Sequence, residues 1–268
     1  MKPSNLEAIH RSFEIQAAGF ESRALNFTKE EYLNHTLSCV APGRRDVVLE
    51  VAAGTCVCGR SFAPMVQTVV CLDATMSMLQ IGKREADRRH LTNMVFVKGF
   101  AEELPFLDSS FDIVFSRLAF HHFTAADTAF SEMARVLKPG GKLVMIDLEA
   151  ADDLLRNTED EIEALRDPSH VKNLSKAEMR GLFAAHSVAL QKCETTHMKQ
   201  RLTNWLALTR TPERLQKEIT ARMMAELNNG EKTGFSPYME DGAICFNQKW
   251  VLLVGVKQKP ESAGPAFE

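Results

Sequence analysis

No stretch of this chain approaches the ~20 consecutive apolar residues that cross a bilayer, so it offers no candidate membrane-spanning helix. Residues Met1 to His10 lack the apolar core of a signal peptide, and a cytoplasmic protein is expected. An excess of one charge is missing too: 32 Lys and Arg face 35 Asp and Glu, a net charge of −3. That balance gives no reason to expect nucleic acid or an anionic membrane as a partner. A framework of paired cysteines is also absent. Six cysteines, at 39, 56, 58, 71, 193 and 245, are scattered, and Cys56-Val57-Cys58 is the one close pair. No Cys-x-x-Cys or His-x-x-x-His accompanies it, so no tetrahedral site is built and no metal is expected. The cysteines read as small apolar fillers, with Cys56 a secondary candidate for a redox-sensitive thiol. There is no internal repeat.

What is present is a core. At 268 residues and 45% apolar content, the chain has length for one large α/β domain or a core with an inserted cap. Its organising stretch is Val47-Val48-Leu49-Glu50-Val51-Ala52-Ala53-Gly54-Thr55-Cys56, an apolar run ending in an acidic residue and a small-residue turn. A second apolar run, Thr68 to Leu72, ends in Asp73. Strand, tight turn, helix, strand and terminal carboxylate form the nucleotide-binding half of a doubly wound domain. Small residues admit a ligand close to the backbone, free N–H groups at the helix start receive it, and Asp73 accepts both ribose hydroxyls. The turn lacks Gly-x-Gly-x-x-Gly; its alternate positions are Ala52, Gly54 and Cys56. Ala and Cys are small enough if the backbone there avoids glycine-only conformations.

Upstream, Leu6, Ile9, Phe13, Ala17 and Phe20 keep a helical spacing. Thr28-Lys29-Glu30-Glu31 is a capping box opening a helix to about Val40, and Ala41-Pro42-Gly43 turns into the first strand. Downstream, Arg60–Met65 is a short helix, Ala74–Arg89 a longer one, and Asn93–Lys98 the third strand. Gly99-Phe100-Ala101-Glu102-Glu103-Leu104-Pro105-Phe106 leads to the fourth strand, 110–117, with Asp112 entering it and Arg117 leaving it. Just past that strand lie His121 and His122, in the crevice where open α/β sheets bind ligands. Thr124 caps a helix through Leu137, and Lys138-Pro139-Gly140-Gly141 turns into strand Lys142–Leu148. Beyond it the charged residues of Asp152–Asp167 read as a solvated helix, and Ser175-Lys176-Ala177-Glu178 as a second capping box. Val188–Cys193 is a strand, and Thr211 caps a helix that Asn228-Asn229-Gly230 ends. Ile244–Phe246 and Trp250–Val256 suggest a closing hairpin, followed by a disordered tail, 259–268. Nothing points to a second core.

The turn around Gly54, Gly-Phe-Ala-Glu-x-Leu-Pro-Phe at 99–106 and Arg-Val-Leu-Lys-Pro-Gly-Gly at 135–141 resemble the class I S-adenosylmethionine-dependent methyltransferases. The match is continuous over about residues 45 to 150 and resembles most the branch containing the quinone-biosynthesis methyltransferases. It implies a doubly wound, mostly parallel seven-stranded Rossmann-like sheet, the last strand antiparallel, with helices on both faces and a helical cap. It implies an N-terminal helical arm over residues 1–40, whose Phe13-Glu14-Ile15-Gln16-Ala17 covers the cofactor as a lid. Residues 41–258 would form the methyltransferase domain, with 151–240 facing the acceptor. S-adenosylmethionine, with S-adenosylhomocysteine as product, would lie along Glu50, Ala52, Gly54, Asp73, Ala74, Met78, Gly99, Phe100, Ala101, Glu102 and Arg117. The departure is Phe100, where the family usually places an aspartate on the adenine amino group; phenylalanine cannot accept that bond.

Methyl transfer from a sulfonium is an in-line displacement that needs alignment in a water-poor cavity more than covalent help. A base is required only where the acceptor must lose a proton. Histidine titrates near neutrality, and either His121 or His122 could face the acceptor. Arg117 could instead orient a ligand carboxylate. Arg166, His170 and Trp205 are the candidate acceptor contacts. The expected enzyme acts on a small molecule, as a monomer or homodimer. The alternatives are a methyltransferase-like binding or regulatory protein without turnover, an arsenite methylator, and an enzyme using a modified cofactor. The arsenite reading fits poorly, because Cys56 and Cys58 sit in the cofactor loop.

Overall fold

The computed structural model describes residues 5–17 and 30–259. At its centre, β1 (Val47–Val51) lies between β2 (Thr68–Asp73) and β4 (Phe111–Arg117), both parallel to it. β3 (Met94–Lys98) extends the sheet beyond β2, and β5 (Leu137–Leu148) extends it beyond β4, again in parallel. β8 (Ala243–Lys257) joins β5 antiparallel, and β6 (Val188–Arg201) pairs with the far side of β8. The order is β3-β2-β1-β4-β5-β8-β6, the expected seven-stranded path. A three-residue strand, β7 (Tyr238–Glu240), adds an eighth by folding onto β8.

Alternation along the central strands explains why both faces need helices. Leu49, Val114 and Leu143 point into one apolar layer; Val48, Ile113 and Val144 point into the other. The first layer is closed by α5 (Ala126–Val136) and α7 (Lys176–Ala185), which bring Phe130, Met133, Met179 and Phe183. The second is closed by α2 (Glu30–Val40), α3 (Val57–Phe62) and α4 (Met76–Arg88), through Leu33, Phe62 and Leu79. Phe62, Phe115, Phe130 and Phe183 are all at most 1% exposed. Full burial of each contributes roughly 2–3 kcal/mol.

Several boundaries depart from the sequence reading. The proposed hairpin at 244–256 is one continuous strand, because its polar Asn247, Gln248 and Lys249 pair with Lys199, Met198 and His197 of a β6 that runs on past Cys193. Ala125, not Thr124, precedes α5, with no side-chain cap. Pro212 precedes α9 (Glu213–Leu227), and the Thr211 hydroxyl turns to the Arg166 carbonyl instead of capping. The Ser175–Glu178 capping box forms as expected. The capping box at Thr28 and the tail from 260 onward lie outside the described residues.

The segment between β5 and β8 is more than a solvated surface. α6 (Arg156–Arg166), α8 (Leu202–Leu208) and α9 share an apolar cluster of Ile162, Trp205, Leu206, Ile219, Met223 and Phe235, seated on Phe246 of β8. This cap has its own small core. α6 buries Glu159 and Glu163, because Glu159 receives the Ala151 N–H and Glu163 pairs with Arg166. The remaining helix, α1 (Leu6–Ala17), lies over the carboxyl ends of the strands.

Candidate active site

The carboxyl ends of β1, β2, β4 and β5 surround a cavity of about 340 Å³, roofed by Ile9, Phe13 and Gln16 of α1. Its size is in the range of small-molecule sites. The β1–α3 turn forms one wall. Here Ala52, Gly54 and Cys56 take φ of 53°, 53° and 59°. All three alternate positions are left-handed, so the expectation that Ala and Cys avoid a glycine conformation is wrong. A left-handed non-glycine residue costs about 1–2 kcal/mol, and strain of this kind gathers at ligand sites. Leu118, just beyond β4 on the same cavity, adds a fourth at 53°.

Asp73 holds this turn, and Glu50 holds the helix that follows it. Asp73 at the end of β2 accepts the Gly54 N–H at 2.7 Å through one oxygen and the Thr75 N–H at 2.7 Å through the other. Each oxygen keeps a lone pair, so Asp73 is anchored without being exhausted as an acceptor. Glu50 accepts the Gly59 N–H at 2.8 Å and lies 3.6 Å from the Cys71 thiol, both on Oε2. The other oxygen, Oε1, is used by neither contact. Burial raises the Glu50 carboxyl to about 7, against the lowering effect of those bonds and of Arg60 and Arg117. Gly59 makes the contact possible, since a Cβ there would stand 2.6 Å from Glu50 Oε2 and 2.7 Å from Cys71 Sγ. The sequence reading missed Gly59; its offset in the helix after the turn was the available signal.

Ala74, Met78, Gly99, Phe100, Ala101, Glu102 and Arg117 also line the cavity. Glu102 is 8% exposed, and its Oε1 is buried without a hydrogen-bond partner among the described residues. Burial raises its pKa.

The two histidines differ sharply. His121 Nδ1 lies 2.5 Å from Asp147 Oδ1, near the end of β5. Asp147 is 1% exposed and also accepts the N–H groups of Ala119, Phe120 and Leu148. Three backbone donors fix the carboxylate, and the carboxylate fixes the ring. Burial disfavours charge on His121, but the Asp147 charge outweighs it and holds the imidazole above its ordinary value. In the neutral ring, with Asp147 accepting from Nδ1–H, the lone pair falls on Nε2. His122 is pushed to about 3 by burial and by its neighbour His121, whose ring centroid is 4.1 Å away. His122 Nδ1 meets Ser169 Oγ at 3.1 Å, and Ser169 donates to Asp167 at 2.6 Å. Gln16 of α1 donates to the other Asp167 oxygen, and Phe13 packs edge-on to His122. His122 thus ties the α1 roof down. Asp147, the residue that separates the pair, was not legible as a partner.

On the cap side, Arg166 and Trp205 line the cavity and stack on each other at 4.4 Å. Arg166 is also paired with Glu163, while the Trp205 indole N–H is buried with no partner among the described residues. His170 is a correction. It is not on the cavity wall; it is buried against Asp160, with Nε2 2.8 Å from that carboxylate. Behind the wall, Ser169 meets His122, and the His170 ring lies beside His121 with centroids 5.8 Å apart. Gln200, Arg201, Asn204, Gln248 and Trp250 complete this wall and were not anticipated.

A mostly parallel sheet with Glu50 and Asp73 at the ends of β1 and β2, and a cavity beyond those ends, has the build of a nucleotide-binding α/β protein. A model of a methyltransferase domain matches residues 49–145. Over 225 residues the chain is 32% identical to the uncharacterized methyltransferase YcgJ of Bacillus subtilis, across 83% of this chain and 88% of that protein. The crystal structure of YcgJ matches with a TM-score of 0.79 at 30% identity, covering 87% of this chain and 100% of that one. A shorter match, 41% identical over 115 residues, is to the ubiquinone/menaquinone biosynthesis C-methyltransferase UbiE of Ectopseudomonas mendocina, covering 41% of this chain and 44% of UbiE. The chain belongs to the class I S-adenosylmethionine-dependent methyltransferases. No helix among the described residues is long and apolar enough to cross a membrane.

Proposed function

We propose that this enzyme methylates a small organic acceptor whose attacking atom bears a proton, and that His121 removes that proton. The observation that carries the reading is the His121–Asp147 pair on the cavity that the β1–α3 turn also lines. S-adenosylmethionine, when bound, supplies a methyl group already activated on sulfur. The residues present fit it. Glu50 Oε1 and the remaining Asp73 lone pairs would receive its ammonium and ribose hydroxyls, and the orphan Glu102 Oε1 its adenine amino group. Ala52, Gly54, Ala74, Met78, Gly99, Phe100, Ala101 and Arg117 would complete the contact surface.

The protein's own work is alignment and proton removal. His121 Nε2 is poised as acceptor because Asp147 holds Nδ1–H, and it becomes an imidazolium that the same carboxylate stabilises. His122, pushed to about 3, is too weak a base for that step and serves to orient. The α1 roof excludes water. Trp205, Trp250 and Leu208 present an apolar surface to the acceptor, with the Trp205 N–H as a hydrogen-bond donor.

The test is to incubate the protein with methyl-labelled S-adenosylmethionine and a panel of small phenols, amines and carbon acids. Label transfer to one of them, lost in His121→Ala with cofactor affinity intact, supports the proposal. Transfer only to protein or RNA substrates would contradict it.

A further inference from the structure

Away from the cavity, α2 and β6 bring together a donor set that methyl transfer does not use. His35 and Cys39 lie one helical turn apart on α2, on one face. Glu194 of β6 reaches the same point. His35 Nε2 stands 3.6 Å from Cys39 Sγ and 2.9 Å from Glu194 Oε2, and the three donor atoms lie within 4.8 Å of one another. We propose that His35, Cys39 and Glu194 form a binding site for a divalent metal of zinc-like chemistry, which fastens α2 to β6.

The donor spacing supports this. Zinc–sulfur and zinc–nitrogen bonds of about 2.3 and 2.0–2.1 Å at a tetrahedral angle place sulfur and nitrogen about 3.6 Å apart, the separation observed. The nitrogen–oxygen edge of the same tetrahedron is about 3.4 Å, so Glu194 has to withdraw by roughly half an ångström. Imidazole, thiolate and carboxylate together suit zinc better than magnesium or calcium, which demand oxygen ligands. The site is reachable from solvent, since the His35 and Glu194 side chains are 50% and 40% exposed. A water completes the four positions.

The site already attracts a cation. Lys192 places its ammonium 3.1 Å from Cys39 Sγ and 3.0 Å from Glu194 Oε1. A metal would displace it, and a long side chain that is 38% exposed has solvent to move into. Cys39 gives up its thiol proton to water as the metal–sulfur bond forms. Tyr32 on the same helix packs near Trp250 of the cavity wall, with ring centroids 6.3 Å apart.

The experiment is a titration of the whole reduced protein with Co2+, followed by competition with Zn2+. The expected result is one equivalent bound, a thiolate-to-cobalt charge-transfer band, and displacement of cobalt by zinc. Cys39→Ser should abolish the band and weaken binding by more than the 10- to 100-fold typical of losing a supporting contact. Lys192→Ala should tighten binding by removing the competing ammonium. An absent charge-transfer band, or affinity unchanged in Cys39→Ser, would overturn the proposal.

Discussion

Glu50→Gln separates the two tasks assigned to the loop carboxylate. Both of its hydrogen bonds fall on Oε2, so the amide oxygen of glutamine can accept from Gly59 and Cys71 while the NH2 group takes the place of Oε1. What changes is the charge. A carboxyl carried by burial from an ordinary 4.5 to about 7 disfavours its ionised form by roughly 3 kcal/mol. The sign follows from the direction. With the folded value above the unfolded one, stability is intact below about 4.5 and is lost as pH rises through 7. Glutamine escapes that loss. The variant should exceed the parent by under about 1 kcal/mol at pH 5 and by about 3 kcal/mol at pH 8. Urea-induced unfolding of the ligand-free protein at both pH values measures the difference. Cofactor affinity should move the other way, because the variant lacks a negative charge for the ammonium group. A gain equal at both pH values, or no gain at pH 8, would refute the reasoning.

Three further outcomes are expected. Asp73→Ala removes the anchor of Gly54 and Thr75 and a charged acceptor; calorimetry should show cofactor binding weakened by about 10- to 100-fold, as for one or two charged hydrogen bonds. Asp147→Asn should lower the titration midpoint of His121, followed by NMR, since the carboxylate is what holds it above the ordinary value. With an acceptor in hand, the same variant should lose about 100-fold in kcat at unchanged cofactor affinity. Ala52→Gly relieves left-handed strain at a partly exposed position and should stabilise the protein by up to about 1 kcal/mol in urea unfolding. Cys56→Gly should show no such gain, because the Cys56 side chain is fully buried against Gly82.

The parts of this enzyme that repeat a local pattern were legible before any coordinates. Apolar runs ending in Glu50, Asp73 and Arg117 announced a parallel sheet, and strand ends are where such sheets bind ligands. The Ser175 cap was equally plain because it is made within one turn of helix. Features depending on distant partners were not. Asp147 sits in an apolar strand and reads as a strand terminus until β5 places it under His121. His170 follows Ser169 in a turn, and the direction of each side chain is set by Asp160 and Asp167, which periodicity does not reveal. Polar residues at 247–249 suggested a turn, but pairing with β6 kept them in a strand. The left-handed backbone at Ala52 and Cys56 shows the reverse case. The loop follows a glycine-like path although two of its alternate positions are not glycine.

The measurement that tests the account most directly is calorimetric titration of the protein with S-adenosylmethionine and, separately, with S-adenosylhomocysteine. Saturable one-to-one binding of both in the micromolar range, about −8 kcal/mol, is the predicted result, and it should be strongly reduced in Asp73→Ala. Absence of binding of either ligand to the folded protein would contradict the placement of the cofactor along Glu50, Gly54, Asp73 and Glu102.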